Sequence, residues 1–184
     1  MKVPFKIILF SSILILGMGT HNFLYSQRVF FHTLSFFHSY YCLPCGTECD
    51  GKEYSEPGKC PHCNMPLVEK STMNFVQIKP QKLRWFLSKH PDVVILDVRT
   101  KDEFEGKTTH LGRIKNSINI PIQEMENRWS ELLPYKNKPL LVYCSQSHRS
   151  PQVAYFLGQK GFNKVVNLQG GLSVLKDKSS LEKD

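Results

Sequence analysis

Six cysteines carry most of the chemistry open to this chain of 184 residues, and they fall into two groups. Five lie between Cys42 and Cys63, and Cys144 stands alone. That split implies two different jobs. Cys144 follows the apolar run Leu140-Leu141-Val142-Tyr143 and opens the polar loop Ser145-Gln146-Ser147-His148-Arg149. Ser150 can cap the helix that follows, with Pro151 at its first position and Val153, Ala154, Phe156 and Leu157 on its inner face. A loop entering a helix N-terminus aims several free N–H groups at one spot, which stabilises an anion. The thiolate of Cys144 is such an anion. The helix dipole and Arg149 act in the same direction, so the thiol pKa should fall. A thiolate there can attack a sulfur of an anionic donor and keep it as a persulfide. A buried cysteine serving as a small hydrophobe is the competing reading; the strand end, polar loop and capped helix together favour chemistry. Cys144 and Arg149 are therefore the candidate catalytic residues, and Ser145, Gln146, Ser147, His148 and Ser150 the candidate substrate-binding residues. His148 reads equally well as a substrate contact or an exposed bystander.

The other group has the spacing of metal ligands. Cys42-Leu43-Pro44-Cys45 and Cys60-Pro61-His62-Cys63 are two C-x-x-C knuckles separated by fourteen residues. Four thiolates so spaced can wrap one tetrahedral Zn²⁺, which makes Cys42, Cys45, Cys60 and Cys63 the expected ligands of a structural zinc site. Residues 40–69 are too few to stand on a hydrophobic core alone and need such a staple. Cys49 is either a spare thiol or an alternative ligand. Disulfides compete in an oxidising compartment, although five cysteines cannot all pair without Cys144. His62 and Met65 have copper-binding chemistry, but exposure and packing account for them better.

The elements that must position these groups follow from the pattern. From about Phe75 short strands alternate with helices: FVQI, a helix from Pro80 to near Lys89, the buried run VVILDV, a turn at Lys101–Glu105, SINIP, an amphipathic helix through Trp129 and Leu133, PLLVYC, a helix stopped by Gly161, KVVNL, and a turn from Gly170-Gly171. Strands separated by helices predict an α/β fold, an open parallel sheet with helices on both faces. Asp97, Arg99 and Glu103 near the strand ends read as a structural ion-pair network rather than as lining of a site. Residues 1–19 form an N-terminal hydrophobic segment: Lys2 and Lys6 precede the thirteen-residue apolar run Ile7–Gly19. That length suits a signal peptide, while an extension to about Tyr25 would make a membrane anchor. Either one places the remainder outside the cytoplasm, in the periplasm or on the membrane. Residues 20–39 are a connector rich in phenylalanine, and 178–184 a charged tail expected to fray. The net charge of +8 serves solubility or attracts small anions; the scattered Lys and Arg form no basic stripe, which argues against nucleic acid.

In these motifs the chain resembles the rhodanese family over about 71–177. The family's strand, Cys-x-x-Gly-x-Arg-Ser and helix stands here as Cys144–Ser150. LDVR at Leu96–Arg99, Glu103-Phe104, GRIKNSINIP at Gly112–Pro121, the helix leading into Gly161-Phe162, and Leu168-Gln169-Gly170-Gly171 also match, in order. Ser147 replaces the loop glycine, Arg113 and Asn116 replace His and Gly, and the tryptophan after the double glycine is missing. The resemblance implies a single-domain thiosulfate sulfurtransferase, which moves sulfane sulfur from thiosulfate or a persulfide to a thiol or cyanide-like acceptor. Residues 40–69 look like a zinc ribbon, and PGKCPHCNMPLV is similar to the heavy-metal-binding modules of exported proteins. A second function class stays open: a non-catalytic adaptor in which the cysteine module docks a protein partner. Phosphatase or arsenate-reductase chemistry on a similar loop is a lesser third.

Overall fold

The computed structural model describes residues 38–182. The expected targeting segment, and the connector up to residue 37, lie outside the described residues. Among the described residues no helix is long and apolar enough to cross a membrane.

The cysteine module is built on four short strands: β1 (Tyr40–Cys42), β2 (Glu53–Tyr54), β3 (Gly58–Lys59) and β4 (Pro66–Glu69). They form an antiparallel sheet in the order β2-β1-β4-β3. Strands this short supply few ladder bonds, so the module relies on its interior: Cys42, Leu43, Cys45, Cys49, Cys60, Met65 and Leu67 are buried together. Phe75 and Tyr155 pack against that cluster from the rest of the chain.

The larger region begins with β5 (Phe75–Ile78) and α1 (Leu83–Lys89). It continues through β6 (Val94–Asp97), α2 (Lys101–Phe104), β7 (Arg113–Ile114), β8 (Ser117–Asn119) and α3 (Met125–Arg128). It is completed by β9 (Leu140–Tyr143), α4 (Arg149–Gln159), β10 (Val165–Leu168) and β11 (Leu181–Glu182). Five strands form a parallel sheet in the order β5-β10-β9-β6-β8. The expected α/β architecture is thus present. The strand residues alternate between two cores, as the pleat requires. Leu140 and Val142 join Val153, Ala154 and Leu157 of α4 on one face. Leu141 and Tyr143 join Leu83 and Phe86 of α1 on the other. Gly161, at φ +83°, ends α4: Gly161 N–H donates to Gly158 C=O and Phe162 N–H to Leu157 C=O, each at 3.0 Å.

Two expectations are corrected. The amphipathic helix through Leu133 is broken, because α3 gives way to 3₁₀ turns over Trp129–Tyr135. Pro134 lies inside that segment, where it has no N–H to continue an α-helix. The charged tail does not fray as far as it is described. Leu181 and Glu182 pair antiparallel with Ile114 and Arg113, and Arg113 Nε lies 3.2 Å from a Glu182 carboxylate oxygen.

Candidate active site and metal centre

Cys144 leaves the carboxyl end of β9, the central strand of the parallel sheet, where ligands bind in open α/β folds. Its side chain is only 1% exposed, and Sγ lies 3.4 Å from Ser150 Oγ. α4 begins at Arg149, so Ser150 lies in its first turn and turns its hydroxyl to the sulfur; it does not cap the helix as expected. The cap position falls to His148, whose side chain makes no capping bond. The leading N–H groups of α4 have no partner within the helix, whose first turn holds Ser150 beside the sulfur. Gln146 and His148 are exposed at the lip, Ser145 and Arg149 half-buried, Ser147 and Ser150 buried.

The double glycine has a steric reason. Leu172 N–H donates to Cys144 C=O and Ser173 N–H to Ser145 C=O, each at 3.0 Å. A Cβ on Gly171 would come within 2.4 Å of the Cys144 carbonyl oxygen and 2.5 Å of that of Ser145. Only glycine lets the two loops approach so closely. Ser147, by contrast, holds the left-handed conformation at φ +60° despite its side chain. Asn116 does the same at +61°, in the second position where glycine is replaced.

Arg149 faces Glu103. Its Nη2 donates to Glu103 Oε1 at 2.8 Å, its Nη1 donates to Oε2, and Ser145 Oγ donates to Oε1 at 3.0 Å. The Arg149 guanidinium, the strongest influence, holds the Glu103 carboxyl down at about 2, and the carboxylate in turn raises Arg149. Glu103 is the site residue for which the sequence favoured a structural ion-pair network over lining of the site. Its local signal was the capping box Thr100-x-x-Glu103, which exists: Thr100 N–H donates to Glu103 Oε2 at 3.0 Å and Glu103 N–H to Thr100 Oγ1 at 3.3 Å. That box fixes the carboxylate where Arg149 arrives. Asp97 and Arg99 do form a structural pair. Both are fully buried, Nη2 to Oδ2 is 2.7 Å, and Arg99 also donates to Gly112 C=O at 2.9 Å.

In the module the sulfurs of Cys42, Cys45, Cys49 and Cys63 all lie within 4.8 Å of one another. Among these pairs, 42–63 is at 3.2 Å, 49–63 at 3.5 Å, 45–49 at 3.6 Å and 42–49 at 3.8 Å. Four thiolates around an ion at about 2.3 Å sit about 3.8 Å apart, so this donor set fits a tetrahedral d¹⁰ ion. The quartet differs in one member from that expected: Cys49 takes the place of Cys60. Asp50 is the cause. Its carboxylate accepts from the N–H groups of Cys45 (2.9 Å) and Gly46 (2.8 Å), curling the chain so that Cys49 returns over the first knuckle. Cys60 adjoins the group through Cys63, and Tyr54 Oη lies 3.5 Å from its sulfur. Burial pushes the Cys45 thiol up to about 12 and also raises Cys42 and Cys63. Burial would raise Cys60 as well, but hydrogen bonds from Tyr54 and from the N–H groups of Cys63 and His62 outweigh it and bring it to about 6. All six cysteines are free thiols.

Residues 80–178 match the family described as Rhodanese-like domain. The chain is 36% identical over 92 residues to the thiosulfate sulfurtransferase GlpE of Coxiella burnetii, covering 50% of this chain and 79% of that protein. It is 30% identical over 96 residues to a sulfurtransferase of Allochromatium vinosum, covering 52% and 83% respectively. The solved structure of a Rhodopseudomonas palustris protein of unknown function, described as a possible tyrosine phosphatase, shares the fold: the TM-score is 0.50 at 22% identity, covering 59% of this chain and 85% of that one.

Proposed function

Because this chain belongs to the rhodanese-like family, we propose that it is a sulfurtransferase that carries sulfane sulfur as a persulfide on Cys144. The observation that carries the reading is the position of the Cys144 sulfur, beside the first turn of α4 and 3.4 Å from the Ser150 hydroxyl. The Cys144 thiolate attacks the outer sulfur of thiosulfate. The S–S bond breaks and sulfite leaves with its electron pair. The new terminal sulfur carries the negative charge, which the leading N–H groups of α4 and the Ser150 hydroxyl stabilise. A nucleophilic acceptor then takes that sulfur; with cyanide the product is thiocyanate and the thiolate is restored. Arg149 keeps donors beyond those given to Glu103 and Ser145, and these hold the anionic donor at the lip.

The loop also bears on the choice of anion. Four residues, Ser145 to His148, separate Cys144 from Arg149, one fewer than in the phosphatases that resemble rhodaneses. The shorter ring suits one added sulfur better than a tetrahedral phosphoryl group. The test is thiocyanate formation from thiosulfate and cyanide, with an aryl phosphate as control. Turnover of the phosphate without thiocyanate overturns the reading. The near-complete burial of Cys144 is the one observation that favours the adaptor reading. Mass measurement of Cys144 with and without thiosulfate separates the two, since an adaptor gains no sulfur.

Zinc is the ion we assign to the module. Cys42, Cys45, Cys49 and Cys63 would hold it, and it would supply a cross-link to a region with little other core. Export rests on Lys2, Lys6 and the apolar run that follows them. A reporter fused to residues 1–27 should leave the cytoplasm; one that stays inside overturns this.

A further inference from the structure

Ser147 stands where rhodanese-like loops carry glycine, and its hydroxyl joins a path that leads out of the sheet. The hydroxyl is fully buried and lies 3.5 Å from Leu168 C=O. It accepts from Asn167 Nδ2 at 3.2 Å. The same nitrogen donates to Gln77 Oε1 at 2.8 Å, across the β10–β5 pairing in which Asn167 and Gln77 are direct partners. Gln77 Nε2 donates in turn to Pro44 C=O at 3.2 Å. Pro44 lies between Cys42 and Cys45, two members of the thiol quartet. Hydrogen bonds therefore run unbroken from the loop between two metal-binding thiols to the loop that carries Cys144. The next residue of the module, Gly46, lies against the Gly170 backbone, next to the glycine that covers the Cys144 carbonyl.

The path is not explained by stability. Asn167 is fully buried, and its Oδ1 has no partner among the described residues. An apolar side chain would fill that sheet position without leaving an oxygen unpaired. Ser147 adds its own strain at φ +60°.

We propose that Gln77 and Asn167 are positioning residues that tie Ser147 to the Cys42–Cys45 loop, so that metal in the thiol quartet sets the reactivity of Cys144. The proposal rests on the reading of Cys144 as the reactive thiol. Metal clamps Cys42 and Cys45 and thereby fixes the peptide between them, including the Pro44 carbonyl. A fixed carbonyl holds Gln77, Gln77 holds Asn167, and Asn167 holds Ser147 in the conformation that turns the loop over Cys144. Without metal the first acceptor drifts and the loop loosens.

The test uses the full chain, loaded with Zn²⁺ or stripped by a chelator, at one fixed pH. The first readout is the rate of Cys144 alkylation by iodoacetamide, followed on the Cys144 peptide by mass spectrometry. Stripping zinc should slow it by about fivefold or more. Ser147→Gly, which suits positive φ and removes the hydroxymethyl group that accepts from Asn167, should still bind zinc while its alkylation rate responds by less than about twofold. Gln77→Leu should behave the same way. A wild-type rate indifferent to zinc, or an equal response in Ser147→Gly, overturns the proposal. Thiocyanate formation measured on the same samples separates it from the functional reading. Zinc-dependent alkylation without thiocyanate would leave the coupling standing and remove the sulfurtransferase, and the reverse pattern would do the opposite.

Discussion

The Cys144 loop and the cysteine module use the same side chain under opposite conditions. Cys144 is one thiol at the end of a scaffold built mainly of other residues: β9 is flanked by paired strands and buried on both faces by aliphatic side chains. In the module the thiols are the interior, since four of its seven buried core residues are cysteines. The difference decides what each sulfur can do. A lone thiol at the edge of an aliphatic core, with no second thiol beside it, is free to gain and lose a sulfur atom. Thiols that constitute a core can only be cross-linked, and raised pKa values at Cys42, Cys45 and Cys63 mean that a cation must displace their protons.

The sharpest way to break that contrast is Cys144→Ser. Sulfur transfer should fall to background while the melting temperature and bound zinc stay unchanged, as thiocyanate assay, calorimetry and metal analysis would show. Loss of the fold in this variant would mean that Cys144 is structural too. Within the module, Cys49→Ser should weaken zinc binding by more than about 100-fold, since outer partners alone cost 10–100-fold. Cys60→Ser should cost less; competition with a chromophoric chelator orders the two, and the reverse order would return Cys60 to the quartet. Arg149→Ala should lower kcat/KM for thiosulfate by about tenfold or more, from loss of a charge-assisted contact of about 1.5–3 kcal/mol. An unchanged value would show that Arg149 serves Glu103 alone.

The smallest effect is a pH dependence. Glu103 is depressed to about 2 from an ordinary value near 4.5, so its contribution is full above pH 4.5 and disappears as pH falls through 2. For side chains 14% and 26% exposed this amounts to about 2 kcal/mol once solvent screening is allowed for. Denaturant midpoints between pH 6 and pH 2 should fall more steeply in the wild type than in Glu103→Gln. Equal slopes would mean that the pair adds nothing to stability.

Most of the sheet was legible because each buried strand is a continuous apolar run, and a parallel strand covered on both faces leaves that signature. Gly161 marked its helix end for a similarly local reason. The Glu103–Arg149 pair was not legible, because 46 residues separate its members and the glutamate read as a partner of the nearby Asp97 and Arg99 instead. Cys49 stayed open between spare thiol and alternative ligand because knuckle spacing counts pairs, whereas its position depends on Asp50 drawing a turn closed. The tail pairing escaped because two residues of strand leave no period to read, and charge dominated the segment.

The placement of β9 also fixes the order in which the molecule can be made. β9 is central, yet one of its neighbours, β10, is synthesised after it. The Cys144 carbonyl is covered only when Leu172 arrives, twenty-eight residues further along the chain. At about 5–20 residues per second, that interval is roughly 1.5–6 seconds. For that time the thiol lacks the second loop that later closes over its backbone, so the site is finished only by residues made after it.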